Sequence, residues 1–137
     1  MKLNYLFVST RAIRTLVRDI LQCGCPDTVF EDIRIGLPSL YNTHNVNSGL
    51  ELLVGGKLLI ALIPFSDVQN SDTDIPSILD AGRKVRDEQG FNRFRLVVVG
   101  VANAEIHRHL QSLSASLGDR VHLHLLEESD LQRLRVM

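Results

Sequence analysis

At 137 residues the chain has room for one compact domain, which buries about 68% of its unfolded surface and needs no metal or disulfide to stay folded. Hydrophobic residues at 45% and charged residues at 23% exclude a disordered or collagen-like chain. Lys plus Arg total 15 against 16 Asp plus Glu, and the net charge of −1 removes the simplest argument for a nucleic-acid or membrane-surface binder while leaving room for a local patch.

Met1 to Val8 does not read as a signal peptide, because Asn4 interrupts a short apolar run and no small-residue cleavage site follows. The longest apolar stretch, Leu58 to Phe65, is far too short to cross a bilayer, so a soluble, cytoplasmic protein without a membrane partner is expected. Cys23 and Cys25 are too close for an easy disulfide, and no second pair completes a zinc site. Free, partly buried thiols are expected. Trp is absent and aromatic residues total 5%, so no base-stacking platform is evident.

Ile13, Leu16, Val17, Ile20 and Leu21 recur at helical spacing, and Gly24 and Pro26 are expected to stop that helix. Leu3, Leu6 and Phe7 extend the same stripe into one long helix; the alternative is a short strand over Leu3 to Val8 with Ser9 or Thr10 as N-cap. Val29, Ile33 and Ile35 predict a strand over Thr28 to Ile35, followed by a polar loop from Gly36 to Ser48. Apolar runs at Leu50 to Val54 and Lys57 to Ile63 flank Gly55-Gly56. This predicts a tight hairpin, because a primed turn needs positive φ at its centre. Pro64 closes the second of these strands, whose near-continuous apolar run implies burial on both faces.

Ser66 to Thr73 is expected to be a second polar loop. Asp72 to Asp74 supplies an N-cap, Pro76 suits the first turn, and Ile75, Ile78, Leu79 and Val85 predict a helix ending near Gln89-Gly90. Arg95 to Val101 is a buried strand. Asn103 caps a helix with Ile106, Leu110, Leu113 and Leu117 on one stripe, ended by Gly118. Val121 to Leu126 alternates as a half-exposed strand, and Ser129 to Met137 forms a short helical tail. The expected fold is α/β, a mixed central sheet of about five strands flanked by helices in the order α-β-β-β-α-β-α-β. An antiparallel meander comes first, then right-handed crossovers with parallel pairing.

From about Arg11 to Leu126 this order resembles the core of the restriction-endonuclease-like superfamily, the PD-(D/E)xK nucleases. The resemblance implies an acidic residue on the second strand of the meander and a Glu-x-Lys pair on the next. Those acids hold Mg²⁺ or Mn²⁺ and the Lys orients the attacking water, since a metal ion both activates water and neutralises the scissile phosphate. Glu51 falls at the first acidic position. With a two-residue turn at Gly55-Gly56, Glu51 faces Ile60, with Leu58 and Leu62 on the same face; shifted by one, the Glu-x-Lys slot is Ala61 and Ile63. Both options are apolar, so the resemblance is degenerate at its catalytic pair. Replacement ligands would have to come from Asp67 or Asp19, and a replacement cation from Lys84 or Arg83, giving Glu51, Asp67 and Lys84 as the alternative catalytic set. The plainer reading is a loop carboxylate at Asp67 and surface helix pairs Asp80–Lys84, Arg83–Asp87 and Lys84–Glu88.

Arg11, Arg14 and Arg18 form one basic stripe on the first helix and, with Arg83 and Lys84, are the candidate nucleic-acid contacts. The alternative is a solvated Arg face. Arg93 and Arg95, flanking Phe94, could extend a basic patch. His122 and His124 project from one face of a strand and are a weak metal-ligand pair, whereas His107 and His109 diverge by about 200° on a helix. Gly55-Gly56 is not a phosphate loop, the strand-to-helix junction at Asn103 is a possible anion site, and no Ser-His-Asp signature is present.

Three functions follow. The first is a non-catalytic accessory or binding module of the nuclease-like fold, contacting a protein partner or nucleic acid, with a homodimer formed through strand edges or the His122/His124 strand. The second is a metal-dependent nuclease with rearranged ligands and Mg²⁺ or Mn²⁺ as cofactor. The third is a Rossmann-like domain binding a small anion at Asn103, with a pocket beyond Arg95 to Val101 and Val121 to Leu126 and a strand at Leu3 to Val8.

Overall fold

The structure, a computed structural model, describes residues 9–22, 24, 26–36, 39–40, 49–69, 74–118 and 120–135. The segment Leu3 to Val8, Cys23 and Cys25 lie outside the described residues.

Helix α1 (Thr10–Thr15) starts where the Ser9 hydroxyl accepts the amide of Ala12 at 3.1 Å. It continues as a π-helical turn, Leu16–Ile20, closed by the Leu21 amide on the Leu16 carbonyl at 2.8 Å. Gln22, at φ +55°, takes the left-handed conformation just after it. The helix therefore ends ahead of Gly24 and Pro26 rather than at them.

The strand expected over Thr28 to Ile35 is half correct. Asp27–Glu31 is a 3₁₀ turn, and β1 is only Ile33–Gly36. Pro26 leads the chain into that turn, and Phe30 leaves the strand pattern to enter the core under α1. Strands β2 (Leu50–Val54) and β3 (Leu58–Pro64) form the expected hairpin, with Gly55 at φ +63° and Gly56 at φ +65°. Lys57 is an extra residue in the turn, so Val54 pairs with Leu58 and Glu51 pairs with Ala61.

The segment after β3 is also a correction. Phe65–Gln69 is a short helix, α2, rather than loop, because Phe65 and Val68, three residues apart, both pack on the core. Helix α3 (Ile75–Gln89) is capped by Asp74, which accepts the Ser77 amide at 2.9 Å, and stops at Gly90 with φ +76°. Strand β4 (Arg93–Val99), helix α4 (Ala104–Ala115), strand β5 (Val121–Leu126) and helix α5 (Glu128–Arg135) complete the chain.

The sheet has the spatial order β1-β2-β3-β4-β5. The first two pairings are antiparallel and the last two parallel, as the meander-then-crossover pattern requires. One face carries Leu50, Leu52, Ile60, Leu62 and Val97 beneath α1 and the Leu131 and Leu134 side chains of α5. The other carries Ala61, Ile63, Phe94, Leu96 and Leu123 beneath α3 and α4. All seven residues of β3 are buried, as expected for a central strand covered on both faces. No helix among the described residues is long and apolar enough to cross a membrane.

Candidate functional site

Chemistry-bearing side chains gather at the two ends of the parallel strands, and the ends differ in charge. Between those ends, Glu51 projects from β2 on the α3 side of the sheet, paired with Ala61 at the middle of β3. The next position of β3 on that face is Ile63, fully buried. The slot that a Glu-x-Lys pair would occupy is thus the Ala61–Ile63 option. The Glu51 carboxylate takes the Ser39 amide at 2.8 Å and the Ser39 hydroxyl at 2.8 and 3.2 Å. Sequence reasoning missed Ser39, since nothing local to it points across a 12-residue separation to a strand.

Asp67, on α2 just past β3, is fully buried rather than solvating a loop. Lys84 pairs with Asp80 at 3.4 Å along the exposed side of α3, as a helix pair of that spacing does. Asp19 belongs to the layer that carries α1, across the sheet from Glu51. Among the described residues no three His, Cys, Asp or Glu side chains come together as metal ligands.

The Arg stripe of α1 is partly engaged. The guanidiniums of Arg14 and Arg18 both stand 5.3 Å from the centre of the Phe30 ring, and Arg18 also meets Asp27 at 2.8 Å. They clasp the 3₁₀ turn to α1. Arg11 is exposed, as is Arg83 on α3.

His122 and His124 share one face of β5, as strand alternation requires, with ring centres 6.1 Å apart. Arg95 reaches the same face from β4 and lies 4% exposed, its Nη1 2.8 Å from His124 Nε2 and 3.4 Å from the Leu21 carbonyl. Burial first, then the charge of Arg95, then His122, push the His124 pKa down to about 4. A neutral His124 accepts from Arg95 through Nε2, the nitrogen a metal would otherwise take.

Two cavities decide the anion question. Beyond β4 and β5, about 450 Å³ is lined by Gly100, Val101, Ala102, Glu127 and Glu128. It lies where an anion site at Asn103 was expected, but the charged residues among its described lining, Glu127 and Glu128, are both acidic. The Asn103 side chain already accepts the Glu105 and Ile106 amides at 2.9 and 3.0 Å, capping α4.

At the N-terminal end of the strands the charge is opposite. A cavity of about 520 Å³ is lined by Arg86, Asp87, Gly90, Phe91, Asn92, Arg93 and Arg120. Arg86 stands in the last turn of α3, Arg93 opens β4, and Arg120 immediately precedes β5. Parallel pairing brings the last two together, and the crossover from α3 delivers the first. Arg86 Nη2 meets Asp87 at 2.8 Å, yet its buried Nε has no hydrogen-bond partner among the described residues. Neither Arg93 nor Arg120 forms an ion pair among those residues. Asn92 and Arg93 also line a second cavity of about 370 Å³, which Lys57 borders from the β2–β3 turn. Arg93 was legible as a patch residue beside Phe94. Arg86 and Arg120 were missed because their shared location depends on strand order.

Comparison with known proteins finds no matching family model, no matching curated protein and no matching solved structure.

Proposed function

We propose that the chain is a non-catalytic binding module on a nuclease-like α/β sheet, and that its partner is nucleic acid, met at the basic end of the strands. The observation that carries the first half is the pairing of Glu51 with Ala61, followed on that face by Ile63. A methyl and a sec-butyl group hold no metal and orient no water, so the facing positions of β3 give Glu51 no catalytic partner. Glu51 instead anchors the chain at Ser39. What supports the second half is the grouping of Arg86, Arg93 and Arg120 around one cavity, with Asp87 the one acidic residue among its described lining. The antiparallel meander joined to a parallel crossover supports the nuclease-like comparison of folds.

The test incubates single- and double-stranded DNA and RNA with the protein and its Glu51→Ala variant in Mg²⁺ and then Mn²⁺. Every strand should be recovered intact with both proteins. Metal-dependent cleavage by the parent that disappears in the variant would overturn the reading and install the nuclease built on Glu51, Asp67 and Lys84.

A further inference from the structure

We propose that the Arg86–Arg93–Arg120 cavity, with Lys57 beside it, is a track for successive phosphates of a nucleic-acid strand; this deepens the binding reading above and rests on it. Arg86, Arg93 and Arg120 line one cavity with Asp87 as the one carboxylate among its described lining residues, so those residues carry an excess of about two positive charges, the charge of two backbone phosphates. Arginine suits that ligand, because its planar donors match phosphate oxygens. Arg86 is held at the cavity wall by Asp87, whose carboxylate meets its Nη2 at 2.8 Å.

Two features favour a strand over a free nucleotide. The cavity of about 520 Å³ shares Asn92 and Arg93 with the neighbouring one of about 370 Å³, so Arg93 lies between two adjoining receptacles, as a repeating ligand requires. Among the described residues no Gly-rich loop or aromatic shelf marks a seat for one base; half-buried Phe91 offers an apolar edge. Recognition therefore rests on the backbone and tolerates any base sequence.

The experiment measures fluorescence anisotropy of a labelled oligothymidylate of about 16 nucleotides across a salt series. Parent protein is compared with Arg93→Glu, Arg120→Glu and, as a control outside the cavity, Arg108→Glu on the exposed side of α4. The first two should each weaken binding at least about tenfold and lower the log–log salt slope by about 1, whereas Arg108→Glu should leave both unchanged. Both cavity residues are exposed, and circular dichroism checks that their variants fold. Equal affinity of Arg93→Glu and parent, an equal loss in Arg108→Glu, or no binding by the parent would each overturn the proposal. Competition by AMP at the same phosphate concentration as unlabelled oligonucleotide would overturn it in favour of a free nucleotide. Cleavage of the oligonucleotide in Mg²⁺ would sink the non-catalytic reading and leave the track standing, so the two failures are separable.

Discussion

Arg95 brings a guanidinium into the first face of the sheet, where among the described residues no carboxylate meets it. A neutral imidazole answers instead: His124 Nε2 lies 2.8 Å from Arg95 Nη1 and cannot accept that bond once protonated. The folded chain therefore resists a proton that the unfolded chain accepts. His124 titrates near 6.5 when unfolded and at about 4 when folded, so between those values the unfolded state binds more protons. The contribution is intact above 6.5 and is lost as pH falls toward 4. The ring is only half-buried, and screening reduces the loss to about 1–2 kcal/mol. His124→Gln keeps an acceptor for Arg95 and removes the titration. In urea denaturation it should match the parent within about 1 kcal/mol near neutrality and lose less stability on acidification to about pH 4.5. Equal acid losses in both proteins would show that another group governs the slope. Alternation along β5 was enough to place His122 and His124 on one face. The partnership with Arg95 was not legible, because it runs diagonally between parallel strands whose register, Arg95 opposite His122 and Val97 opposite His124, no local pattern encodes.

Helix α3 meets β4 at Gly82, and there the two elements approach as closely as a missing side chain allows. A Cβ on Gly82 would stand 2.2 Å from the ring of Phe94, which is itself fully buried. Helix propensity favours Ala over Gly by about 1 kcal/mol, but overpacking a rigid aromatic costs about 1–3 kcal/mol and wins. Gly82→Ala should therefore lower the urea midpoint, and Phe94→Leu placed in the same chain should restore part of the loss. A midpoint that rises in Gly82→Ala would mean that α3 stands off the sheet. The bounds of α3 were legible in full, because Asp74 and Gly90 act through their own backbone neighbours. The apolar runs of β3 and β4 marked both as strands, but β4 runs from Arg93 to Val99, two residues ahead of the expected Arg95 to Val101, because its pairing with β3 starts at Arg93 opposite Leu58. The failures lie where few residues decide. Over Asp27–Glu31 the period-two pattern of Val29, Ile33 and Ile35 competes with one inward Phe30 and loses. In α2, five residues carry only Phe65 and Val68 as a signal, too little for periodicity to register. The Glu51 slot was narrowed to two alternatives, and the extra Lys57 in the turn selects between them.

A net charge of −1 conceals a molecule whose ends have opposite signs. Among the described residues, Lys57, Arg86, Arg93 and Arg120 lie where the parallel strands begin, and Asp67, Glu127 and Glu128 lie where they finish. Composition alone cannot reveal this, because the sign at each end follows from which loops the parallel pairing gathers. Strands of seven residues at about 3.3 Å each hold the ends about 20 Å apart, whereas charges are screened within about 8 Å at physiological ionic strength. The basic end therefore acts on a ligand almost independently of the acidic end, and total charge is the wrong predictor of binding. Replacing Glu127 and Glu128 together by Gln raises the net charge by two without touching the cavity that holds Arg93. At about 0.15 M salt that double variant should change oligonucleotide affinity by less than about twofold, against the tenfold or greater loss expected of Arg93→Glu. Lowering the salt to about 0.01 M extends the screening length to about 30 Å, beyond the separation of the ends, and there the double variant should bind more tightly than the parent. A gain as large at high salt as at low salt would show that the strand contacts the Glu127–Glu128 end directly, and that the basic cavity is not where it lies.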